Sequence, residues 1–303
     1  MPTEGHMGKP RVAFLGLGVM GFPMAGHLVS KGGYSTTVYN RTRSKAEAWI
    51  GQHGASGAQV QWASSPAEAV SGADYVFSCV GDDPDLRQIA LGANGAFPAM
   101  KKGAVFVDHT TTSANIAREL AKTAHTMGFE FLDAPVSGGQ AGAVNGALTV
   151  MVGGDAIVFE QAKPLISHFA KAVTHMGPSG AGQLTKMVNQ ICIAGVVQGL
   201  AEGVNFAQKV GLDVEQLIAV ISKGAAQSWQ MENRALTMAR SEFEFGFAVE
   251  WMRKDLGIVL EEANRNDARV PLTALVDQFY SQVAARGGRR WDTSSLIDLL
   301  QRP

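Results

Sequence analysis

The sequence predicts an α/β fold in two parts, a doubly wound, mostly parallel sheet followed by an all-α domain that opens on one long helix. Three observations predict it. A strand, a glycine-rich turn and a helix follow one another within residues 11–31. Apolar strand patterns then alternate with helical stretches as far as Gly177. Beyond that point strand patterns stop, and residues 182–209 run without a proline or a turn cluster. Alternation of the first kind argues for an open sheet with helices on both faces.

The elements follow in order. Residues 11–15 read as a short buried strand, and a helix is expected over residues 24–31. A second strand fits residues 35–39 and a helix residues 44–51. Further strands are expected at residues 73–80, 104–108, 129–133 and 148–152, with a helix over residues 113–127. The long helix carries Leu184, Met187, Val188, Ile191, Val196 and Leu200, which share broadly apolar faces. Asp213 is placed to cap a helix over residues 214–222. The expected division is a loose extension over residues 1–10, a nucleotide-binding domain over 11–177 and a helical domain over 178–303, with the hinge near Gly177.

The turn after the first strand is Gly16-Leu17-Gly18-Val19-Met20-Gly21. Its glycines allow a tight turn, a close backbone approach to a pyrophosphate and close packing of helix on strand. The helix N-terminus adds free N–H groups and partial positive charge. This context makes the first domain Rossmann-like. The second strand ends at Asn40, nineteen residues beyond Gly21. An NAD enzyme usually places Asp or Glu near there for the ribose 2′-hydroxyl. Here Asn40-Arg41-Thr42-Arg43 follows instead, with no carboxylate to repel a 2′-phosphate and a guanidinium to grip one. The pattern favours NADP(H), with NAD(H) as a weaker cofactor.

Composition excludes several classes. The chain has 303 residues, 46% of them hydrophobic and 17% charged, enough for two soluble cores. A net charge of −1 gives no electrostatic footprint for nucleic acid or an anionic membrane. Cys79 and Cys192 stand far apart, suggesting neither a disulfide framework nor a metal cluster, and the histidines lack metal-ligand spacing. No run of apolar residues is expected to span a membrane, and residues 1–9 do not read as a signal peptide. A cytoplasmic location is expected.

Lys186 and Asn189 are three apart on the long helix, and Gln190 is four from Lys186, which puts them near one side. Just after a glycine-rich hinge, Lys186 is expected to face the cleft between the domains. Reduction of a carbonyl needs a proton for its oxygen, and a partly desolvated ammonium can donate one and stabilise the developing charge. Asn189 could hold the substrate oxygen. Asp133-Ala134-Pro135-Val136-Ser137-Gly138-Gly139 follows a strand, and its paired glycines let backbone N–H groups approach an anion beside the Ser137 hydroxyl. That suits a small carboxylate, whereas Asp133 reads as structural. His109 ends the 104–108 strand and reads as a strand-end residue rather than a general base. Lys254-Asp255 fits either a surface ion pair or a contact to cofactor or substrate.

These four blocks, in this order, resemble the β-hydroxyacid dehydrogenase family over essentially the whole chain. Gly16 to Gly21 is similar to its cofactor block and residues 133–139 to its substrate block. Gly182-Gln183-Leu184-Thr185-Lys186-Met187-Val188-Asn189 is similar to its catalytic block, and Lys254-Asp255-Leu256 to the fourth. The resemblance implies Lys186 as acid/base, Asn189 as substrate-orienting, and Ser137, Gly138 and Gly139 on the substrate carboxylate. It implies Thr111 and Lys254 around the nicotinamide and ribose, and Cys79 and Val80 along the adenosine side. It also implies homodimers or homotetramers built through the helical half. Asn40-Arg41-Thr42 matches the NADPH-preferring glyoxylate/succinic semialdehyde reductase branch. His109 departs from that branch, which more often carries methionine.

The favoured reading is an NADPH-dependent reductase interconverting a small aldehyde acid (glyoxylate, succinic semialdehyde or tartronate semialdehyde) and its hydroxyacid. A 3-hydroxyisobutyrate-type dehydrogenase or an imine reductase could use the same fold, although Lys186 argues against imine reduction. A dinucleotide-binding scaffold without chemistry is the alternative from another class.

Overall fold

The computed structural model describes residues 9–55 and 57–301; residues 1–8, most of the expected N-terminal extension, lie outside the described residues. The chain divides into two compact units, one up to Lys186 and one from Met187 onward.

The first unit runs β1 (Val12–Leu15), α1 (Gly21–Ser30), β2 (Thr36–Tyr39), α2 (Arg43–His53), β3 (Val60–Trp62), α3 (Pro66–Val70), β4 (Tyr75–Ser78), α4 (Asp83–Leu91), β5 (Val105–Asp108), α5 (Ala114–Met127) and β6 (Glu130–Asp133). It continues with β7 (Val136–Ser137), α6 (Gly139–Asn145), β8 (Leu148–Gly153), α7 (Ala156–Ile166), β9 (Ala170–Gly177) and the start of α8 (Ala181–Lys209). The strands form one sheet in the order β3-β2-β1-β4-β5-β6-β8-β7, with β9 on β8. Strands β1 to β6 are parallel, whereas β8 runs antiparallel to β6 and β7. The mostly parallel, doubly wound expectation holds. Strand order reverses between β2 and β4 on either side of β1, and such a switch point is where open α/β sheets bind ligands.

Period-two alternation explains the two-sided core. Val12 and Phe14 of β1 join a cluster with Trp49, Phe77, Leu132 and Phe169. Ala13 and Leu15 join a second cluster with Val76, Phe106, Leu120 and Phe131. At the C-terminal ends, Leu15, Ser78, Asp108 and Asp133 stand in register across β1, β4, β5 and β6. Polar side chains thus collect along one buried edge.

The second unit comprises the rest of α8 with α9 (Val214–Ile221), α10 (Trp229–Ala239), α11 (Val249–Asn266), α12 (Pro271–Ala285) and α13 (Asp298–Gln301). Asp213 caps α9 through the Gln216 N–H, as expected. Val197, Ala201, Met238, Met252, Leu256, Tyr280 and Val283 pack in its core. Beyond β9 the described residues hold no strand, only one isolated bridge between Ala248 and Asp292.

Helix α8 corrects two expectations. By length and composition alone it is apolar enough to cross a bilayer, although no such run was expected. Nearly half of its most apolar stretch is buried within the protein, and the buried side includes Gln183, Lys186, Gln190 and Gln198. The helix thus has a partly polar buried side and an exposed side. Val188 and Val196, expected on an apolar packing face, are exposed instead. The buried face is partly polar, so hydrophobicity alone pointed to the wrong side.

Candidate active site

The turn after β1 is shaped by what it must avoid. Gly16 has φ +98°, and a Cβ there would lie 2.3 Å from the Cys79 carbonyl oxygen. A Cβ on Gly21 would lie 2.0 Å from the Gly16 carbonyl oxygen. At Gly18 a Cβ would meet nothing within 4 Å, so the loop is closely packed behind and open in front. Val19 is exposed, and Leu17 is buried. No side chain caps α1, and its first turn holds no acidic residue. The Phe22 and Met24 N–H groups bond back to the Gly18 and Met20 carbonyls and Pro23 has none, so an anion would be met by N–H groups earlier in the turn. These residues fit the pyrophosphate of a dinucleotide.

Asn40 pins this turn. Its Oδ1 accepts from the Leu17 N–H at 2.8 Å, and its Nδ2 donates to the Thr42 carbonyl at 3.0 Å. Arg41 is largely exposed and pairs with Asp85 at 3.1 Å. Thr42 precedes α2, where Arg43 pairs with Glu47 and lies 4.6 Å over the Trp62 ring. Both arginines pair with a carboxylate; Arg43 does so on α2, and Arg41 is the one beside the end of β2.

Cys79 and Val80 leave β4 directly against Gly16, with the Val80 side chain 3.0 Å from a Cβ placed there. The Val80 N–H donates to Thr110 Oγ1 at 3.0 Å, and Thr110 Oγ1 donates to Asp108 Oδ1 at 2.7 Å. Ser78 Oγ donates to the same carboxylate oxygen at 2.7 Å. Burial raises the Asp108 carboxyl to about 7, against the lowering effect of the Ser78 and Thr110 hydrogen bonds. Thr111 is half-buried between the buried Thr110 and Thr112. The structure thus brings together Gly16 to Gly21, Asn40, Cys79, Val80 and the segment bearing Thr111.

His109 is enclosed. Its Nδ1 lies 2.6 Å from the Ala134 carbonyl, so that nitrogen carries the hydrogen and donates it. The ring stacks on Phe77 and meets Phe169 edge-on, and burial lowers its pKa to about 4. A neutral ring at 1% exposure makes a poor proton shuttle. The strand-end reading of His109 accords with this placement.

Ser137 ends β7 half-buried, and exposed Gly138 and Gly139 follow at φ +126° and +60°. Both values lie where a side chain is disfavoured, and nothing fills the space at Gly139 within 4 Å.

The first turn of α8 is held from the sheet. Asp133 Oδ1 accepts from the Gly180 N–H at 2.7 Å and Oδ2 from the Gln183 N–H at 3.0 Å. Burial raises Asp133 to about 6 even so. Gln183 Nε2 donates to the Thr110 carbonyl at 2.7 Å, and its Oε1 accepts from the Thr112 N–H at 3.0 Å. Lys186 follows one turn later at 7% exposure. Gln183 escaped the sequence reading. The available signal was a glutamine three residues before Lys186 and on the same helix side.

Within the second unit, Asn189 Nδ2 donates to Gln190 Oε1 at 2.8 Å, and Gln190 Nε2 donates to Asp255 Oδ2 at 2.6 Å. Lys254 Nζ lies 3.0 Å from the other Asp255 oxygen and 6.0 Å from the Trp251 ring centre. The Lys254–Asp255 pair is therefore largely buried rather than a surface pair. Asp255 links Lys254 to Asn189 through Gln190.

Two family profiles match end to end. Residues 11–177 match the NAD-binding domain of 6-phosphogluconate dehydrogenase. Residues 180–300 match the NAD-binding region of NADP-dependent 3-hydroxyisobutyrate dehydrogenase. An uncharacterised oxidoreductase of Shewanella frigidimarina is 60% identical over 96% of this chain and 98% of the relative. The chain belongs to the β-hydroxyacid dehydrogenase family. The 2-hydroxy-3-oxopropionate reductase of Escherichia coli is 34% identical over 96% of this chain and 97% of its own length. A solved 3-hydroxyisobutyrate dehydrogenase of Mycobacterium tuberculosis superposes with a TM-score of 0.85 at 31% identity, covering 96% of this chain and 99% of that one. This β-hydroxyacid dehydrogenase is therefore an NAD(P)-dependent oxidoreductase.

Proposed function

We propose that the chain reduces a small aldehyde bearing a carboxylate to its hydroxyacid, with NADPH preferred over NADH. Glyoxylate, succinic semialdehyde and tartronate semialdehyde are the candidate substrates. The observation that carries this reading is Lys186, a buried ammonium one turn after a helix start tied to the C-terminal edge of the dinucleotide-binding sheet. When bound, a nicotinamide cofactor would supply the hydride for the carbonyl carbon. Lys186 Nζ gives a proton to the carbonyl oxygen, and in the reverse direction takes one from the hydroxyl. Ser137 with the Gly138 and Gly139 backbone holds the carboxylate, and Asn189 orients the carbonyl. Gly16 to Gly21 receive the pyrophosphate, Asn40, Arg41 and Thr42 the 2′-phosphoribose, Cys79 and Val80 the adenosine side, and Thr111 and Lys254 the nicotinamide ribose.

The cofactor preference is supported by Asn40 standing where NAD enzymes place a carboxylate, with Arg41 beside it. Self-association is part of the proposal. Exposed Val188, Cys192, Val196 and Phe206 lie on α8, and Gly199 and Gly203 between them have open space above their backbone. This face suits a second copy in a homodimer or homotetramer. A cytoplasmic location is part of the same reading.

The test is a panel of small aldehyde acids against NADPH and NADH, scored by kcat/KM. The expected winner is an aldehyde acid with NADPH, and indifference to the carboxylate would refute the reading. Lys186→Ala should cut kcat by about 10²–10⁴-fold while NADPH still binds.

A further inference from the structure

The N-terminus of α8 is fixed to two strand exits at once. Asp133, fully buried at the end of β6, takes the Gly180 and Gln183 N–H groups on its two oxygens. The close approach depends on bare backbone. A Cβ on Gly153 would lie 2.5 Å from Asp133 Oδ1, and one on Gly182 would lie 2.6 Å from the Asp133 carbonyl oxygen. Gln183, also fully buried, then spans the segment after β5 by bonding Thr110 and Thr112 on either side of Thr111.

We infer that Asp133 and Gln183 are positioning residues that set Lys186 at a fixed distance from the Thr111 segment. The inference rests on the reading of Lys186 as the proton donor. Neither side chain needs to touch substrate. Gln183 is one helical turn before Lys186 on the same side, so the turn that Asp133 and Gln183 grip is the turn that carries the ammonium. Thr111 sits inside the Gln183 bridge, so the segment expected beside the nicotinamide and the proton donor share one frame. A shift of about 1 Å in such a frame costs on the order of 10²-fold in rate, because proton and hydride must arrive at the same carbonyl.

The chemistry of each anchor is specific. An asparagine at 133 can accept only one of the two backbone N–H groups and turns its own N–H₂ toward the other. A leucine at 183 leaves the Thr110 carbonyl and Thr112 N–H without their partner.

The experiment uses the full chain, with Asp133→Asn, Gln183→Leu and Lys186→Ala assayed beside the parent on the aldehyde acid preferred in the panel. In the first two, kcat should fall about 30- to 100-fold. NADPH affinity, read by cofactor fluorescence, should stay within about twofold, because the glycine turn is untouched. The solvent deuterium isotope effect on kcat should rise as proton delivery becomes the slow step. If Asp133→Asn does not fold, Gln183→Glu replaces it, keeping the acceptor for Thr112 and setting oxygen against the Thr110 carbonyl. Loss of NADPH affinity in proportion to kcat would overturn the inference, since a general loosening does that. An inactive Lys186→Ala beside parental kcat in both frame variants would overturn the inference alone. An active Lys186→Ala would overturn the proton-donor assignment and the inference with it.

Discussion

Helices α1 and α8 both start at the C-terminal edge of the same sheet, and their N-termini are finished in opposite ways. At α1 no side chain caps the helix, no acid stands in the first turn, and Gly18 fronts open space. At α8 the buried Asp133 carboxylate occupies the N–H groups at the helix start. Other helices of the unit are capped from their own sequence, α4 by Asp82 and α5 by Ser113. A helix N-terminus attracts negative charge wherever it lies. An end left bare awaits a ligand, and an end closed by the protein's own carboxylate becomes an anchor. On the proposed reading the contrast separates a place for binding from a place for alignment.

The comparison breaks most severely at Gly16. Gly16→Ala sets a Cβ against the Cys79 carbonyl at φ +98°, and strain with overpacking should cost about 2–5 kcal/mol. Chemical denaturation should show that loss, with NADPH binding lost alongside. A fully stable Gly16→Ala protein would mean that the turn is not held against β4. A milder change makes α1 resemble α8. Val19→Asp, at an exposed site, places a carboxylate beside the bare helix end. NADPH affinity should fall about tenfold while thermal stability holds or rises slightly, by the same dipole argument with opposite consequences for ligand and fold. Unchanged affinity would show that the phosphates sit elsewhere.

The smallest effect concerns pH. In the fold Asp108 ionises only near 7, above its ordinary value of 3.8, because burial disfavours the charge. The native state therefore holds this proton where the unfolded chain has lost it. The stabilisation is complete below about pH 4 and disappears as the pH rises through 7. Asp108→Asn is neutral throughout, so its Tm relative to the parent should improve from pH 4 to 8. His109 works the other way. Its folded value near 4 favours the neutral ring, so its contribution is present above 6.5 and is lost as the pH falls toward 4. A Tm difference between Asp108→Asn and parent that does not vary with pH would show that Asp108 titrates normally.

The bare end was legible in the sequence because its causes are local. Gly16 to Gly21 announce a turn in six consecutive residues, and alternation within β1 declares a sheet covered on both faces. The anchored end was harder to see. Gln183 meets Thr110 and Thr112 across more than seventy residues, and nothing in its neighbourhood announces that pairing. Asp133 read as structural, which its bonds accord with, but the object it holds was hidden. Strands β3, β7 and β9 also went unread. Two of them are too short for a period to show, and β9 carries Lys171 and His175 among half-exposed positions. Val188 and Val196 misled because the buried side of α8 is partly amide and ammonium.

The separation of the anchor from the dinucleotide turn has an evolutionary consequence. On the proposed roles, genetic drift at Asp133 or Gln183 would slow turnover while sparing the turn at Gly16 to Gly21. A lineage losing only that clamp would keep a folded nucleotide receptor of low activity, and would drift toward a pseudoenzyme without first discarding its lysine.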